Sequence, residues 1–443
     1  MASLGAKVRF CVPELPFRGA SLEDVGIEIV VSKCKSDAYP ASDFVIYGAI
    51  SEELAKSATT WLEAGHNNKV ILFATYLFPF CAAAELAARM LSRFKGRVRY
   101  IINPAGSDIW QIGRQMQNVA RELIDSRHVT DVVTYSKRFS EEIRVITGSE
   151  RRIEIIPPSI DTSKFRPMTL EYRLLARQKM NITDDTFVIS HCSNNRPVKG
   201  IVHSIDIARQ FVSATNSDTR LLIVGPITQH LRDAFELLGL PSPNDDLPHD
   251  VKIGKLHITC VGLQREVMHY HVLSDVALNT SLHDSFNISL AEAMACEVPV
   301  LTSDVAGIAS IIEDYACGYV VPFDFNPIYD NNAASASEPS VMHYDSAVCW
   351  LVEILRNREK RIAMGKRARA AIIEQCSDQV VANMWGKLLG FSPFRGRQHS
   401  NAIAMEQRNG EKDQTEVAGF GLSFLSKSGV PSSLGLNDSL QSG

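Results

Sequence analysis

Two acids separated by seven residues, Asp284 and Glu292, stand in the stretch HDSFNISLAEAMACEVPV (283–300). The first precedes a run of small apolar helix formers; the second lies inside it. A helix starting near Asn287 presents unpaired backbone N–H groups at its first turn, where the positive end of the macrodipole favours an anion. Ser285 or Asn287 can also cap that end, and a cap still leaves later N–H groups for a ligand. A second candidate is SNNRPVKG (193–200), which sets Arg196 and Lys199 just beyond the strand-like TFVISHC. Alone, such a pair is more often surface charge than an anion site. If the anion is a diphosphate, Asp284 and Glu292 fall on opposite sides of it, each able to grip hydroxyl groups. A nucleotide sugar has that layout, with hexose hydroxyls at one end and ribose hydroxyls at the other.

The elements that must hold these residues follow from patterning. Short β-branched or aromatic runs (KVRFCVP, GIEIVVS, DFVIYGA, KVILFAT, RVRYIIN, DVVTYS) alternate with amphipathic stretches such as 51–65 and 81–94. This is the signature of a parallel sheet with crossover helices. A second series begins near residue 186 with TFVISHC, TRLLIVGP, HITCVG, DVALNTS, VPVLTS and GYVVP. The expected architecture is therefore α/β, with two Rossmann-like doubly wound domains facing across a cleft. We expect an N-terminal domain over 1–152, a C-terminal domain over 153–375, a crossover helix over 376–390 and a disordered tail over 395–443. Residues 324–345, rich in Asn, Ser, Ala and Pro, are expected to be mostly a surface insertion.

With 45% apolar and 22% charged residues in 443, the chain has the composition of a globular protein. A formal charge of −4 gives no basis for a nucleic-acid partner. The basic run KRIAMGKRARA (360–370) is expected to be a solvated helix face, the alternative being peripheral membrane contact. Nine cysteines without a C-x-x-C pair indicate reduced thiols and a cytoplasmic setting, not a disulfide framework or zinc knuckle. The N-terminus has no leader-like apolar stretch, and the apolar segment 70–84 is too short to span a bilayer.

The run D-S-F-N-I-S-L-A-E-A-M-A-C-E-V-P-V resembles the acid, seven residues and Glu of retaining GT-B glycosyltransferases, especially the large family 4. IIPPSIDTSKFRP is similar to that family's domain connector and RPVKG to its phosphate-binding basic pair. LLIVG and CVG resemble its nucleotide-side strands, GYVVP the strand closing the site, and WGKLL its last helix. The resemblance implies a nucleoside diphosphate sugar donor and a glycan, lipid-linked or small-molecule acceptor. It implies no cofactor beyond the donor and no required metal. Arg196 and Lys199 would neutralise the leaving diphosphate, Glu292 would hold the ribose and Asp284 the sugar hydroxyls. Backbone around Phe286, Asn287, Ser289 and Leu290 would line the phosphate and sugar positions, while Leu263 and Arg265 would lie near the base. AGSDI (105–109) resembles a cleft-facing turn, which makes Asp108 an acceptor-side candidate, against a role as the N-cap of the following helix. Gly19 is the nearest substitute for the family's Gly-Gly loop.

Several positions depart from the family pattern. Asp284 replaces the usual Glu, Ser310 stands where many relatives have Glu, and Glu297 stands where Gly is usual. An exposed Glu297 in an ordinary backbone conformation is expected. The alternative function is a catalytically silent GT-B protein that binds nucleotide or glycan as a partner. A nucleotide-sugar epimerase ranks after it, and a nicotinamide dehydrogenase last, for want of G-x-G-x-x-G. Oligomeric state is open.

Overall fold

The computed structural model describes residues 7–12, 27–31, 44–323, 344–390 and 415–420. The first half begins with β1 (Lys7–Val12), β2 (Ile27–Val31), α1 (Phe44–Ala64) and β3 (Lys69–Thr75). It continues through α2 (Ala82–Met90), β4 (Val98–Asn103), α3 (Ser107–Trp110), α4 (Arg114–Ile124), β5 (Asp131–Thr134), α5 (Lys137–Thr147) and β6 (Ile153–Ile155). The second half opens with α6 (Leu170–Lys179), β7 (Phe187–Cys192), α7 (Ile201–Thr215), β8 (Thr219–Val224), α8 (Gln229–Leu237), β9 (His249–Ile253) and β10 (Leu256–Gly262). There follow α9 (Met268–Leu273), β11 (Val276–Asn279), α10 (Ile288–Ala295), β12 (Val300–Ser303), α11 (Ala309–Asp314) and β13 (Gly318–Val321). The chain then forms α12 (Tyr344–Arg356), α13 (Arg358–Cys376), α14 (Asp378–Leu389) and β14 (Thr415–Phe420).

Two seven-stranded sheets result, ordered β2-β1-β14-β3-β4-β5-β6 and β13-β12-β11-β7-β8-β10-β9. Every pairing is parallel except β9 against β10. Strands such as β7 and β8 are buried along nearly their whole length, as expected where helices cover both faces of a parallel sheet. In the second sheet the winding reverses between β7 and β11, so the crevice past their carboxyl ends is the topological switch point. Both segments with chemical promise, 193–200 and 280–287, leave the sheet there. Helix α14 returns to the first sheet, where Val381, Met384 and Trp385 pack with Ile71, Ile101 and Val133. The Trp385 ring meets Phe73 edge-on at 5.4 Å.

Three expectations need correction. DFVIYGA is not a strand: Phe44 opens α1, which runs unbroken to Ala64. A short apolar run cannot be assigned by periodicity alone, and nothing between this one and the amphipathic stretch after it breaks a helix. Thr415–Phe420, within the tail expected to be disordered, is a strand paired with both β1 and β3; the rest of that tail lies outside the described residues. The basic run of α13 is not simply a solvated face. Arg369 donates to Phe165 O and Ala295 O, Arg367 to Ala316 O, and Arg361 lies 3.4 Å from Asp275. Residues 324–343 of the expected insertion also lie outside the described residues.

Candidate active site

At the switch point the two loops are laced together. Gly200, at φ +63°, follows Lys199, and a Cβ there would come within 1.9 Å of Thr280 O, so only glycine lets this turn seat against the end of β11. Thr280 Oγ1 donates to Gly200 O at 2.7 Å and Leu282 N to Val198 O at 2.8 Å. The consequence is a direct meeting of two expected site residues: Lys199 Nζ donates to Asp284 Oδ2 at 2.6 Å, both side chains largely buried. Burial pushes the Asp284 carboxyl up, but the Lys199 ammonium, the Phe286 N–H and His283 outweigh it and hold the group below the usual carboxylate range. Arg196 is exposed on the same turn and has no ion pair among the described residues. Behind them His191 is fully buried and hydrogen-bonded to Ser204 and Ser193; burial, with Lys199 nearby, lowers its imidazole to about 3 and keeps it neutral.

Asn287 opens α10 from a left-handed conformation, φ +85°, and its Oδ1 accepts from Leu290 N at 3.3 Å. The cap is therefore Asn287, and it leaves the N–H groups of Ile288 and Ser289 without intrahelical partners. Ser289 Oγ donates to Cys192 O at 2.7 Å, tying the helix to the end of β7. The Phe286 and Leu290 side chains are core, packed with Ile160, Phe165 and Ala291, so only their backbone is available to a ligand. Glu292 is on the second turn, 21% exposed, with His271 Nε2 3.9 Å from its Oε2. Leu263 and Arg265 are exposed on the turn after β10. Two strand spacings, about 10 Å, separate β10 from β7 in the sheet.

The first half closes over this loop. His283 Nε2 lies 2.9 Å from both carboxylate oxygens of Glu142, and its ring stacks on Trp110 at 5.0 Å. Ser136 Oγ donates to Ser285 O at 2.9 Å. Asp108 approaches the same region but spends its carboxylate on backbone: Leu77 N at 2.8 Å, Gly106 N at 2.7 Å and Ala105 N at 3.1 Å donate to it. It is not an N-cap for a following helix. It pins the turn after β4 to the end of β3, where Tyr76 sits at φ +64°. Burial raises the Asp108 carboxyl despite these three donors. Gly19 lies outside the described residues.

Sequence reasoning did not anticipate Trp110, Ser136 and Glu142 as partners of the 283–285 loop, nor His271 as the neighbour of Glu292. Glu142 is 141 positions from His283, and no local pattern encodes such a pairing. Expectation also failed at Glu297, which adopts φ +62°. Glu297 N donates to Met294 O and Val298 N to Ala293 O, a Schellman ending of α10 that forces a left-handed residue at this position. Ser310 is exposed on α11, and the acidic pairs 184–185 and 245–246 are exposed in turns and bends.

Two doubly wound domains with a basic and acidic constellation at the switch point define the GT-B class. Solved structures agree on the fold: sucrose-phosphate synthase from Thermosynechococcus elongatus aligns at a TM-score of 0.61 with 16% identity, covering 88% of this chain and 90% of that one. Anabaena HepE, solved with UDP and glucose, aligns at 0.59 with 14% identity, covering 87% and 99%. Residues 173–328 match the family model for glycosyl transferases group 1. Along most of its length the chain is similar to N-acetyl-alpha-D-glucosaminyl L-malate synthase of Bacillus anthracis: 24% identity over 391 residues, 87% of this chain and 89% of that protein. Trehalose synthase of Pyrococcus furiosus is 26% identical over 175 residues, 39% of this chain and 42% of its own. The chain thus has the GT-B fold, residues 173–328 match glycosyl transferases group 1, and together these likenesses support a nucleotide-sugar-dependent glycosyltransferase.

Proposed function

We propose that the protein moves a hexose from a nucleoside diphosphate sugar to an acceptor hydroxyl, retaining anomeric configuration and needing no metal. The observation that carries this reading is the convergence of Lys199, Asp284 and the α10 N-terminus at the switch point, with Glu292 on the same helix. Arg196, Lys199 and the free N–H groups of α10 take up the charge that grows on the diphosphate as the bond from C1 to its oxygen breaks. The acceptor oxygen bonds to C1 on the same face, and its proton passes to the departing phosphate. Asp284 holds sugar hydroxyls and Glu292 the ribose. Leu263 and Arg265 lie near the base, at a distance along the sheet that an extended nucleotide spans. Asp108 serves the acceptor side by fixing its turn.

A uridine donor is the first to test, because HepE was solved with UDP and glucose. A small-molecule acceptor is the first choice, because the malate-named relative aligns along most of the chain. Glycan and lipid-linked acceptors come next. The described cysteines are all free thiols, which supports a reducing, cytoplasmic setting. Among the described residues no helix is long and apolar enough to cross a membrane.

Thermal melting with UDP, GDP, ADP and their sugars is the first experiment. A true donor at a hundredfold its dissociation constant stabilises by about 2.7 kcal/mol. Lys199→Ala is expected to lower kcat about 10²–10³-fold while weakening donor binding much less, because its charge matters most as the diphosphate leaves. An unchanged kcat would overturn the role. The silent-binder reading is favoured by one feature, the neutralisation of Lys199 by Asp284. It predicts donor binding with neither transfer nor donor hydrolysis.

A further inference from the structure

Four histidines in the described residues are buried, and three have partners: His191 has Ser204 and Ser193, His203 has Tyr344, and His283 has Glu142. The fourth, His271 on α9, is 1% exposed, and among the described residues neither ring nitrogen has a hydrogen-bond partner. Leaving a buried donor or acceptor unmatched costs stability, because the group gives up its water without gaining a partner. A role in which one nitrogen gains a partner on ligand binding would remove part of that cost. The nearest charged group is Glu292, with 3.9 Å between Nε2 and Oε2, about 1 Å beyond a good hydrogen bond. Among the described residues the Glu292 carboxylate has no hydrogen-bond partner, and it keeps a partly open face. Helix α9 packs on α10, and the Phe165 ring lies 6.4 Å from the imidazole. The thiols nearest the carboxylate, Cys192 and Cys296, are pushed up to about 12 chiefly by burial and stay neutral, so they bring no competing charge.

We propose that His271 is a positioning residue for the ribose end of the donor: its Nε2–H donates to one oxygen of Glu292 and turns the other toward the ribose hydroxyls. It touches no substrate and acts through Glu292. The inference rests on the assignment of Glu292 to the ribose. A carboxylate with one oxygen tethered loses less rotamer freedom when the sugar arrives, so the effect falls on nucleotide affinity and on discrimination against ribose lacking its hydroxyls.

The test uses the full-length protein and whichever of UDP, GDP or ADP stabilises it, paired with the corresponding 2′,3′-dideoxynucleotide, by calorimetric titration. Wild type is expected to bind the ribonucleotide about tenfold or more tighter than the dideoxy form, the effect of losing hydrogen bonds to a charged group. His271→Leu should bring the ratio down to about one- to threefold, with an unchanged or higher melting temperature, since it removes an unmatched buried group. His271→Gln, which keeps a donor, should restore part of the ratio. Glu292→Gln should abolish the ratio, and adding His271→Leu to it should do nothing more. Full discrimination in folded His271→Leu, or equal weakening toward both nucleotides, overturns the proposal. If Glu292→Gln itself discriminates like wild type, the ribose assignment has failed, and the role of His271 with it.

Discussion

At the scale of single residues, the contact that organises the site is Lys199 with Asp284. Each side chain is less than a fifth exposed, so the pair gains from reduced solvent screening but depends on staying paired. The Asp284 carboxyl is lowered in the folded protein. The unfolded chain therefore takes up its proton first as pH falls, and the stability the pair contributes, fully present above the ordinary carboxyl range, is lost as pH drops through the lowered value. We expect Asp284→Asn to destabilise by about 3 kcal/mol at pH 7, because it strands the ammonium, and to remove this part of the acid-side loss. Urea denaturation at pH 7 and at pH 4 reads both effects. A wild-type-like midpoint at pH 7 would mean that water already screens the pair.

For the secondary-structure elements, α10 is the working part. Its start is set by the Asn287 cap and the anchor of Ser289 to β7. Its end is a Schellman turn that places Glu297 at φ +62°. A side chain there carries left-handed strain of roughly 1–2 kcal/mol, partly offset by the greater unfolded-state freedom of glycine. We expect Glu297→Gly to stabilise by about 1 kcal/mol without changing donor affinity, as read by chemical denaturation and by titration with the nucleotide. A loss of stability would show that the Glu297 side chain makes a contact worth more than the strain. The same logic of local ends explains Gly307, where a Cβ would meet Ser285 O at 2.1 Å and push the Asp284 loop off its bridge to Ala306.

Across the whole molecule, the 283–285 loop joins the two halves beside the site, apart from the packing of α14 on the first sheet. His283 is clamped by Glu142 and Trp110, Ser285 accepts from Ser136, and Asp284 sits between them on Lys199. These contacts between the halves flank the acid, so closing them and placing it are expected to be coupled. We expect His283→Ala to open the cleft, raising the radius of gyration in small-angle scattering and raising the donor KM several-fold, with a smaller effect on kcat. An unaltered scattering curve together with an unaltered KM would refute this coupling.

The alternation of β-branched runs with amphipathic stretches, and the D-x₇-E spacing that opens α10, were legible because both depend on residues within a few turns of one another. The same holds for Arg196 and Lys199 past the end of β7, since winding order alone brings that strand end to the crevice. Local patterns failed where another element decided the outcome: DFVIYGA joined a helix, and Thr415–Phe420 found a place between β1 and β3. Which side chains meet across the cleft was likewise beyond the sequence. Glu142 with His283 and His271 with Glu292 are set by packing between elements distant in the chain, and one residue's type does not record which partner folding will bring to it.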